Sequence, residues 1–91
     1  RGTFSMNKTY YLYILRCKDN SLYTGTASDL EERIKKHNKG KGGKYTRSHR
    51  PVQLVYYEKH PDLSSARRRE NEIKNWRKEK RENLIKEFPS A

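Results

Sequence analysis

A tyrosine-rich hairpin is the feature that most limits the folds open to this chain. Residues 10–17 (YYLYILRC) carry apolar or aromatic side chains on both faces of a predicted strand, so the strand belongs in the centre of a sheet. Residues 22–26 read as the returning strand. Asp and Asn in the connecting residues 18–21 tolerate tight and left-handed backbone, so the pattern predicts an antiparallel β-hairpin.

The length of the turn decides whether Tyr13 and Tyr23 share a face of this hairpin, because side chains alternate between faces along a strand. A three-residue loop with Asn20 in the left-handed region places the two rings diagonally opposite each other on one face. A two-residue loop separates them. The sequence leaves both alternatives open.

Helical patterns and one further strand complete the predicted fold. Ser28 and Glu31 fit a capping box that begins a helix, which runs to about residue 39 and ends at Gly40. The lysines and glycines of residues 39–44 predict a flexible basic loop. Residues 52–58 are rich in β-forming residues and predict a third strand.

Two helices follow the third strand. Asp62 or Ser64 caps the first of them, which begins at about residue 63 and ends at residue 76 or 77. The last helix runs to about residue 88 and turns Leu84, Ile85 and Phe88 inward. The order β-β-α-β-α-α predicts an α+β fold in which helices cover a small sheet.

Charge and composition limit the partners of this single small domain. The chain has 22 Lys and Arg against 11 Asp and Glu, a net charge of +11 and a pI near 10.0, which favours a nucleic-acid binder over a protein with a solvated basic face. One cysteine, Cys17, excludes an internal disulfide and fits the cytoplasm. No apolar run is long enough for a membrane span. Residues 1–5 read as a leader, and residues 6–91 as one domain.

Glu70 is a carboxylate on the apolar stripe of a predicted helix, which it shares with Ala66 and Ile73. Desolvating a carboxylate is costly unless it pairs with a cation or binds a metal. Magnesium often takes only one or two protein carboxylates and completes its shell with water and phosphate. The alternative is an ion pair with Arg67, Lys74 or Arg33.

Other residues of the chain suit attack on a phosphodiester. Arg33 can present a planar fork to a phosphate, although a helical arginine more often pairs with a nearby carboxylate such as Asp29 or Glu32. His37 lies one turn later and can transfer a proton near neutral pH. The hydroxyls of Tyr13 and Tyr23 can orient or deprotonate water, although aromatic strand residues are more often only core.

The segment after the first helix offers contacts to a polyanion. Four cationic side chains and one ring for stacking are the candidates for binding DNA backbone or single strands: Lys41, Lys44, Arg47, Arg50 and Tyr45. Simple solvation of a glycine–lysine loop is the alternative.

Taken together, these residues resemble the GIY-YIG nuclease family, most closely its small single-domain bacterial members of the YhbQ type, which are related to the nuclease domain of the repair protein UvrC. The stretches that carry the resemblance are YLY (residues 11–13), YTG (23–25), DLEERIKKH (29–37), GGKYTR (42–47), RPVQLVY (50–56) and ARRRENEIK (66–74). In UvrC a lysine stands at the position of Thr26 and a tyrosine at that of His37.

The resemblance implies a three-stranded antiparallel sheet flanked by helices, with Mg²⁺ or Mn²⁺ bound at Glu70. Tyr13 would activate or position the attacking water with Tyr23 as its partner, and Gly25 would leave room for backbone or substrate beside Tyr23. Arg33 would hold the scissile phosphate and His37 would assist proton transfer. These groups are expected to meet in an open cavity.

The implied activity is hydrolysis of DNA phosphodiester bonds by a monomeric endonuclease, directed by structure or damage in repair or recombination. RNA stays open as a substrate, and a membrane is not expected as a partner. The alternative reading is a nucleic-acid-binding module that keeps the fold without useful catalysis, and a third is a scaffold that acts through a protein partner.

Overall fold

The computed structural model describes residues 9–88. The elements, in chain order, are β1 (Tyr10–Arg16), β2 (Leu22–Ala27), α1 (Leu30–Asn38), α2 (Lys44–Ser48), β3 (Gln53–His60), α3 (Leu63–Lys74) and α4 (Lys78–Lys86). The leader expected at residues 1–5 lies outside the described residues. Within residues 9–88, no helix combines the length and the apolar character that a membrane crossing needs.

The three strands form one antiparallel sheet in the order β2-β1-β3. The hairpin strand with apolar groups on both faces is therefore the central one, as the sequence predicted. Helices flank the sheet, and both the α+β fold class and the order of the predicted elements are confirmed.

The hairpin turn settles which tyrosines meet. Cys17 N donates to Ser21 O at 2.8 Å, which leaves three residues in the loop, and Asn20 has the positive φ of 73° that this loop needs. Tyr13 then faces Gly25 across the ladder and Tyr23 faces Leu15. The two tyrosines are diagonal neighbours on one face, with ring centroids 6.4 Å apart, so the three-residue alternative is correct.

The helix starts were predicted with mixed success. Asp62 caps α3, and its side chain accepts from Ser65 N. The capping box at Ser28 was wrong by one residue: β2 continues through Ala27, and Asp29 is the cap that accepts from Glu32 N at 3.0 Å. The sequence also did not predict the short helix α2, which begins where the basic loop was expected to end.

Two apolar clusters lie on the two faces of the sheet. On the α1 side, Tyr13, Leu15, Cys17, Ala27 and Val52 are buried, with Leu30 and Ile34 of α1 packed against them. On the other side, the buried residues are Leu12, Ile14, Tyr56 and Ile73, with Leu84, Ile85 and Phe88 packed against them. The inward residues predicted for the last helix are therefore correct, and β1 supplies both clusters.

Candidate active site

The hydroxyl of Tyr13 is the centre of the candidate active site. Tyr13 is completely buried, and it faces Gly25 of the neighbouring strand. A Cβ on Gly25 would lie 2.7 Å from the Tyr13 hydroxyl and 3.2 Å from the Tyr23 ring. The absence of a side chain at Gly25 therefore leaves room for the rings of Tyr13 and Tyr23.

A hydrogen-bonded chain of buried side chains leads away from this hydroxyl. His37 Nε2 lies 3.0 Å from the Tyr13 hydroxyl, and His37 Nδ1 lies 2.7 Å from Thr46 Oγ1. All three side chains are completely buried. We call Tyr13, His37 and Thr46 the buried triad.

The surroundings favour the neutral forms of both titratable members of the triad. Burial, and then the Tyr23 phenol, raise the pKa of Tyr13 to about 12, against a smaller opposing effect of Arg33. Burial, and then the charge of Arg33, lower the pKa of His37 below its ordinary 6.5. Near neutral pH, Tyr13 therefore carries its proton while His37 has a free nitrogen to receive one.

Arg33 and Glu70 supply the charges near this phenol. The Arg33 guanidinium donates to Thr26 O at 3.4 Å, and none of the ion pairs found within residues 9–88 joins it to Asp29 or Glu32. The Arg33 charge lowers the pKa of Tyr13 and the Glu70 carboxylate raises it, so both charges act on the same hydroxyl.

Glu70 is mostly buried, with 17% of its side chain exposed. Its carboxylate pairs with Lys74 Nζ at 2.7 Å, one of the ion pairs that the sequence left open. Among the described residues, no group of three or more His, Cys, Asp or Glu side chains is placed to hold a metal. A metal bound at Glu70 would have one carboxylate ligand from the protein and would take its other ligands from water and phosphate.

The sequence predicted the buried triad only in part. It selected Tyr13 and His37 but missed Thr46 and Gly42. A Cβ on Gly42 would lie 2.3 Å from His37 Nδ1, so the backbone of Gly42 packs directly on the imidazole. The only sequence signal is the Gly-Gly pair three residues before a threonine, which indicates a close backbone approach but not its target.

The aromatic side chains continue from the triad to the surface. The Tyr23 ring lies edge-on to the His37 ring, with the ring centroids 5.1 Å apart. It lies nearly parallel to the Tyr45 ring, with the centroids 6.4 Å apart. Tyr45, 42% exposed, stacks in turn on His49 at 4.1 Å, and its hydroxyl donates to Ser21 Oγ at 2.6 Å. Tyr45 is thus a fixed, exposed ring beside the candidate site.

The cationic side chains expected to contact DNA come from the same segment of the chain as this ring. Lys41, Lys44 and Arg47 are exposed. Arg50 is exposed as well, but its guanidinium donates to Arg47 O at 3.0 Å and to Asn38 O at 3.3 Å. Arg50 therefore joins the ends of α1 and α2 in addition to any contact with DNA.

The expected open cavity differs from the observed site. Tyr13 and His37 are closed to solvent, while Tyr23 and Arg33 are only half-buried and form the accessible side. A cavity of about 600 Å³ lies elsewhere, between the start of α1 and β3, and its lining includes Tyr11 and Tyr57 but none of the predicted catalytic residues. Packing of α2 against His37 closes the inner end of the site.

A second polar cluster lies across the sheet and was not predicted. The Glu58 carboxylate accepts from the Tyr56 hydroxyl at 2.5 Å, from Arg69 Nε at 3.0 Å and from His60 Nε2 at 3.0 Å. We call Tyr56, Glu58, His60 and Arg69 the carboxylate network. Burial alone would raise the pKa of Glu58, but the hydrogen bonds from Arg69, Tyr56 and His60 lower it.

Comparison with protein families gives an independent result. Residues 9–83 match the family of the GIY-YIG catalytic domain. A UPF0213 protein of Staphylococcus saprophyticus is 55% identical to this chain over 78 residues, which cover 86% of this chain and 95% of that protein. A UPF0213 protein of Haloquadratum walsbyi is 49% identical over 82 residues, 90% of this chain and 92% of that protein.

Solved structures give the same result for the fold. The solution NMR structure of a UPF0213 protein from Bacillus halodurans is 46% identical and has a TM-score of 0.56, covering 86% of this chain and 83% of its own. The solution NMR structure of a protein from E. faecalis is 36% identical with a TM-score of 0.60, covering 87% of this chain and 84% of its own.

Proposed function

This chain belongs to the GIY-YIG family, among the small UPF0213 proteins, and from that premise we propose that it is a metal-dependent endonuclease that hydrolyses phosphodiester bonds of DNA. The observation that carries the proposal is the surroundings of the Tyr13 hydroxyl. A neutral imidazole, a second phenol, a guanidinium and a carboxylate act on this one group. Pure packing of a core tyrosine does not require such a set.

The roles follow from exposure and charge. Tyr23 and Arg33 form the accessible side, so Tyr23 orients the attacking water and Arg33 binds the scissile phosphate, where its fixed charge stabilises the transition state. The buried Tyr13 accepts the proton of that water while passing its own proton to His37 Nε2. Because Tyr13 is closed to solvent, this step requires DNA binding to open a path for the water to its hydroxyl.

Mg²⁺ or Mn²⁺ is the proposed cofactor, and the donor set fits it. Glu70 offers a hard oxygen ligand with 17% of its side chain exposed, and its present partner Lys74 sits on the exposed side of α3, so it can move into solvent. One carboxylate is enough when water and phosphate supply the other ligands. A bound divalent cation would neutralise charge on the phosphate and the leaving oxygen.

DNA affinity comes mainly from the phosphate backbone. The net charge of +11 and the exposed cations Lys41, Lys44 and Arg47 supply non-specific attraction, and the fixed ring of Tyr45 offers stacking. Residues 9–88 contain no element that is suited to reading bases, so we propose selection by DNA structure or damage, as in repair or recombination, with RNA as an alternative polymer. A monomer in the cytoplasm, where the free thiol of Cys17 stays reduced, completes the proposal.

One pair of observations favours a second candidate function. Tyr13 is closed to solvent, and Glu70 already has a cationic partner. A nucleic-acid-binding module of the same fold, with weak or no catalysis, would keep both features permanently. A cleavage assay that measures binding in parallel decides between the two.

The test compares the wild type with Glu70→Gln on supercoiled and branched DNA in the presence and absence of Mg²⁺. We expect Glu70→Gln to lose cleavage by about 10³-fold, since the loss of a metal ligand removes several kcal/mol of transition-state stabilisation. Binding at low salt should persist. Glu72→Gln is the matched control, because it changes the same charge on the same helix at a residue that is 55% exposed.

The outcomes separate the proposals. Cleavage that needs Mg²⁺ and is lost only in Glu70→Gln supports the endonuclease. Equal background nicking by all three proteins, with binding retained, overturns it in favour of the binding module. Absence of DNA binding at low salt contradicts both and leaves the scaffold that acts through a protein partner.

A further inference from the structure

We propose that Thr46 is a positioning residue that fixes the tautomer of His37, leaving Nε2 unprotonated and directed at the Tyr13 hydroxyl. The inference rests on the proposed nuclease function, in which Nε2 receives the proton of Tyr13. Thr46 lies on α2 and acts only through the imidazole, from the side opposite Tyr13.

The imidazole is held at both nitrogens. Nδ1 lies 2.7 Å from Thr46 Oγ1, and Nε2 lies 3.0 Å from the Tyr13 hydroxyl. A neutral ring carries one N–H, so one nitrogen donates and the other accepts. The two tautomers therefore correspond to opposite directions of the whole hydrogen-bonded chain.

Counting donors and acceptors selects one direction. With the proton on Nδ1, every hydrogen has an acceptor: Tyr13 donates to Nε2, Nδ1 donates to Thr46 Oγ1, and the threonine hydroxyl donates to Gly43 O at 3.4 Å. With the proton on Nε2, the Tyr13 oxygen accepts, and its own hydrogen has no other acceptor among residues 9–88. A buried hydroxyl without an acceptor costs free energy, so the Nδ1–H form is preferred.

The backbone before α2 brings Thr46 within reach. The space that a Cβ of Gly42 would occupy is 2.3 Å from His37 Nδ1 and 2.6 Å from Cγ. The glycine backbone can therefore lie on the ring face, and α2 begins directly afterwards at Lys44. The close approach of this segment explains how a neutral hydroxyl reaches a buried nitrogen.

The proton balance follows from this tautomer. The attacking water gives a proton to the Tyr13 oxygen as Tyr13 gives its own proton to Nε2. The water oxygen forms the new P–O bond, the bond to the leaving oxygen breaks, and solvent protonates that oxygen. The resulting imidazolium donates from Nε2 to Tyr13 and from Nδ1 to Thr46, so Thr46 accepts throughout.

The groups around the His37 ring favour its neutral form before the reaction. The titratable groups that face His37 are Tyr13 from β1, Tyr23 from β2 and Arg33 from α1 itself. Burial, followed by the Arg33 charge, lowers the pKa of His37. The ring is therefore ready to accept a proton near neutral pH.

The test reads the tautomer directly by ¹⁵N NMR of the imidazole at pH 7.5, in the wild type and in Thr46→Val, Thr46→Ser and Ser48→Ala. We expect a protonated Nδ1 in the wild type and in Thr46→Ser, and a shift toward protonated Nε2 in Thr46→Val. Ser48→Ala is the matched control, because the Ser48 hydroxyl donates hydrogen bonds to Lys44 O and Tyr45 O on the same helix and lies outside the buried triad. A wild-type ring protonated on Nε2 overturns the proposal.

Cleavage kinetics give the second readout. Thr46→Val should lower kcat by about 10- to 100-fold, the usual cost of removing a residue that orients a ligand or base. KM for DNA should stay unchanged, and the acidic limb of the pH profile should move to lower pH, because the imidazolium loses an acceptor. Thr46→Ser should restore the wild-type profile.

The two proposals fail in different ways. A wild type that cleaves no DNA but has Nδ1 protonated refutes the nuclease function and leaves the tautomer assignment intact. Normal kcat and an unmoved pH profile in a folded Thr46→Val overturn the positioning role, whatever the tautomer. If Thr46→Val does not fold, Thr46→Ser must still retain kcat and the Nδ1–H form, and its failure to do so overturns the role as well.

Discussion

Tyr13 and Tyr56 lie on opposite faces of the sheet, and both have a raised pKa, but their hydroxyls have different hydrogen-bond partners. Burial raises the pKa of both Tyr13 and Tyr56 to about 12. Tyr13 is bonded to a neutral imidazole, whereas Tyr56 donates to the Glu58 carboxylate, which also accepts from Arg69 and His60. An imidazole with a lowered pKa can take a proton and later release it, but a carboxylate held ionised by a guanidinium cannot readily do so.

A perturbed pKa alone therefore does not identify a reactive phenol. The partner of the phenol and its access decide the role. Tyr13 faces Gly25 and lies beside the half-buried Arg33 and Tyr23. The Tyr56 ring packs edge-on against Phe88 at 5.3 Å, and its hydroxyl ties β3 to α3 through Glu58 and Arg69. The first arrangement suits chemistry and the second suits stability.

Replacing each phenol by phenylalanine tests this difference most strongly. Tyr13→Phe should lower cleavage by about 10²- to 10⁴-fold, the usual contribution of a general acid–base group. Tyr56→Phe should leave cleavage per folded molecule unchanged. Both variants should lose about 1 kcal/mol in the free energy of unfolding, since each loses one buried hydrogen bond. Cleavage rates and urea denaturation measured together check this, and equal activity in the two variants would contradict the different roles of the two phenols.

Adjacent residues of β2 give the second test. In Gly25→Ala, the new methyl would lie 2.7 Å from the Tyr13 hydroxyl, and the buried ring has little room to retreat, so we expect a loss of about 1–3 kcal/mol in stability and reduced cleavage. Thr24 faces the other side of the sheet, opposite Ile14, and within residues 9–88 its hydroxyl has no hydrogen-bond partner. Thr24→Val should therefore be neutral or stabilise by about 1 kcal/mol.

Thermal or urea denaturation of the two variants decides this test. A Gly25→Ala protein with wild-type stability and cleavage would mean that the two phenols do not depend on the absence of a side chain there. A destabilised Thr24→Val would mean that the threonine hydroxyl has a partner that matters.

The two faces should also lose stability in different pH ranges, which is the smallest of the three effects. The pKa of His37 is lower in the folded state than its ordinary 6.5, so the unfolded chain binds more protons below that pH. The stabilisation from neutral His37 is thus complete above pH 6.5 and is lost as pH falls through the folded pKa. The lowered pKa of Glu58 changes the pH dependence of stability only below about pH 4.5.

Urea denaturation between pH 8 and pH 5 measures this difference. His37→Gln should flatten the fall in stability below pH 6.5, whereas Glu58→Gln should keep it. Identical slopes in the wild type and His37→Gln would contradict a buried neutral His37 in the folded protein.

Much of the fold followed from local signals. The hairpin, the last two helices and their inward residues were predicted from alternation, caps and helical spacing, because these signals act within a few residues. The capping residue of α1 was wrong by one position, because Ser28 and Asp29 are adjacent and each offers a side-chain oxygen with a glutamate three residues later. Helix α2 has five residues and no side-chain cap, so local pattern gave it no signal.

Sequence patterns were enough to predict where the strands lie and which helix faces are buried, because periodicity is a local property of a chain. Composition gave the basic charge and the residue types that suit phosphodiester chemistry. The folded structure was needed to show that Tyr13 and Tyr23 share a face, that Thr46 meets His37, and that Glu70 pairs with Lys74 while its charge acts on Tyr13. Contacts between side chains of different strands and helices depend on turn length, register and helix docking together. For that reason, the arrangement of side chains around the Tyr13 hydroxyl could be described only from the folded structure.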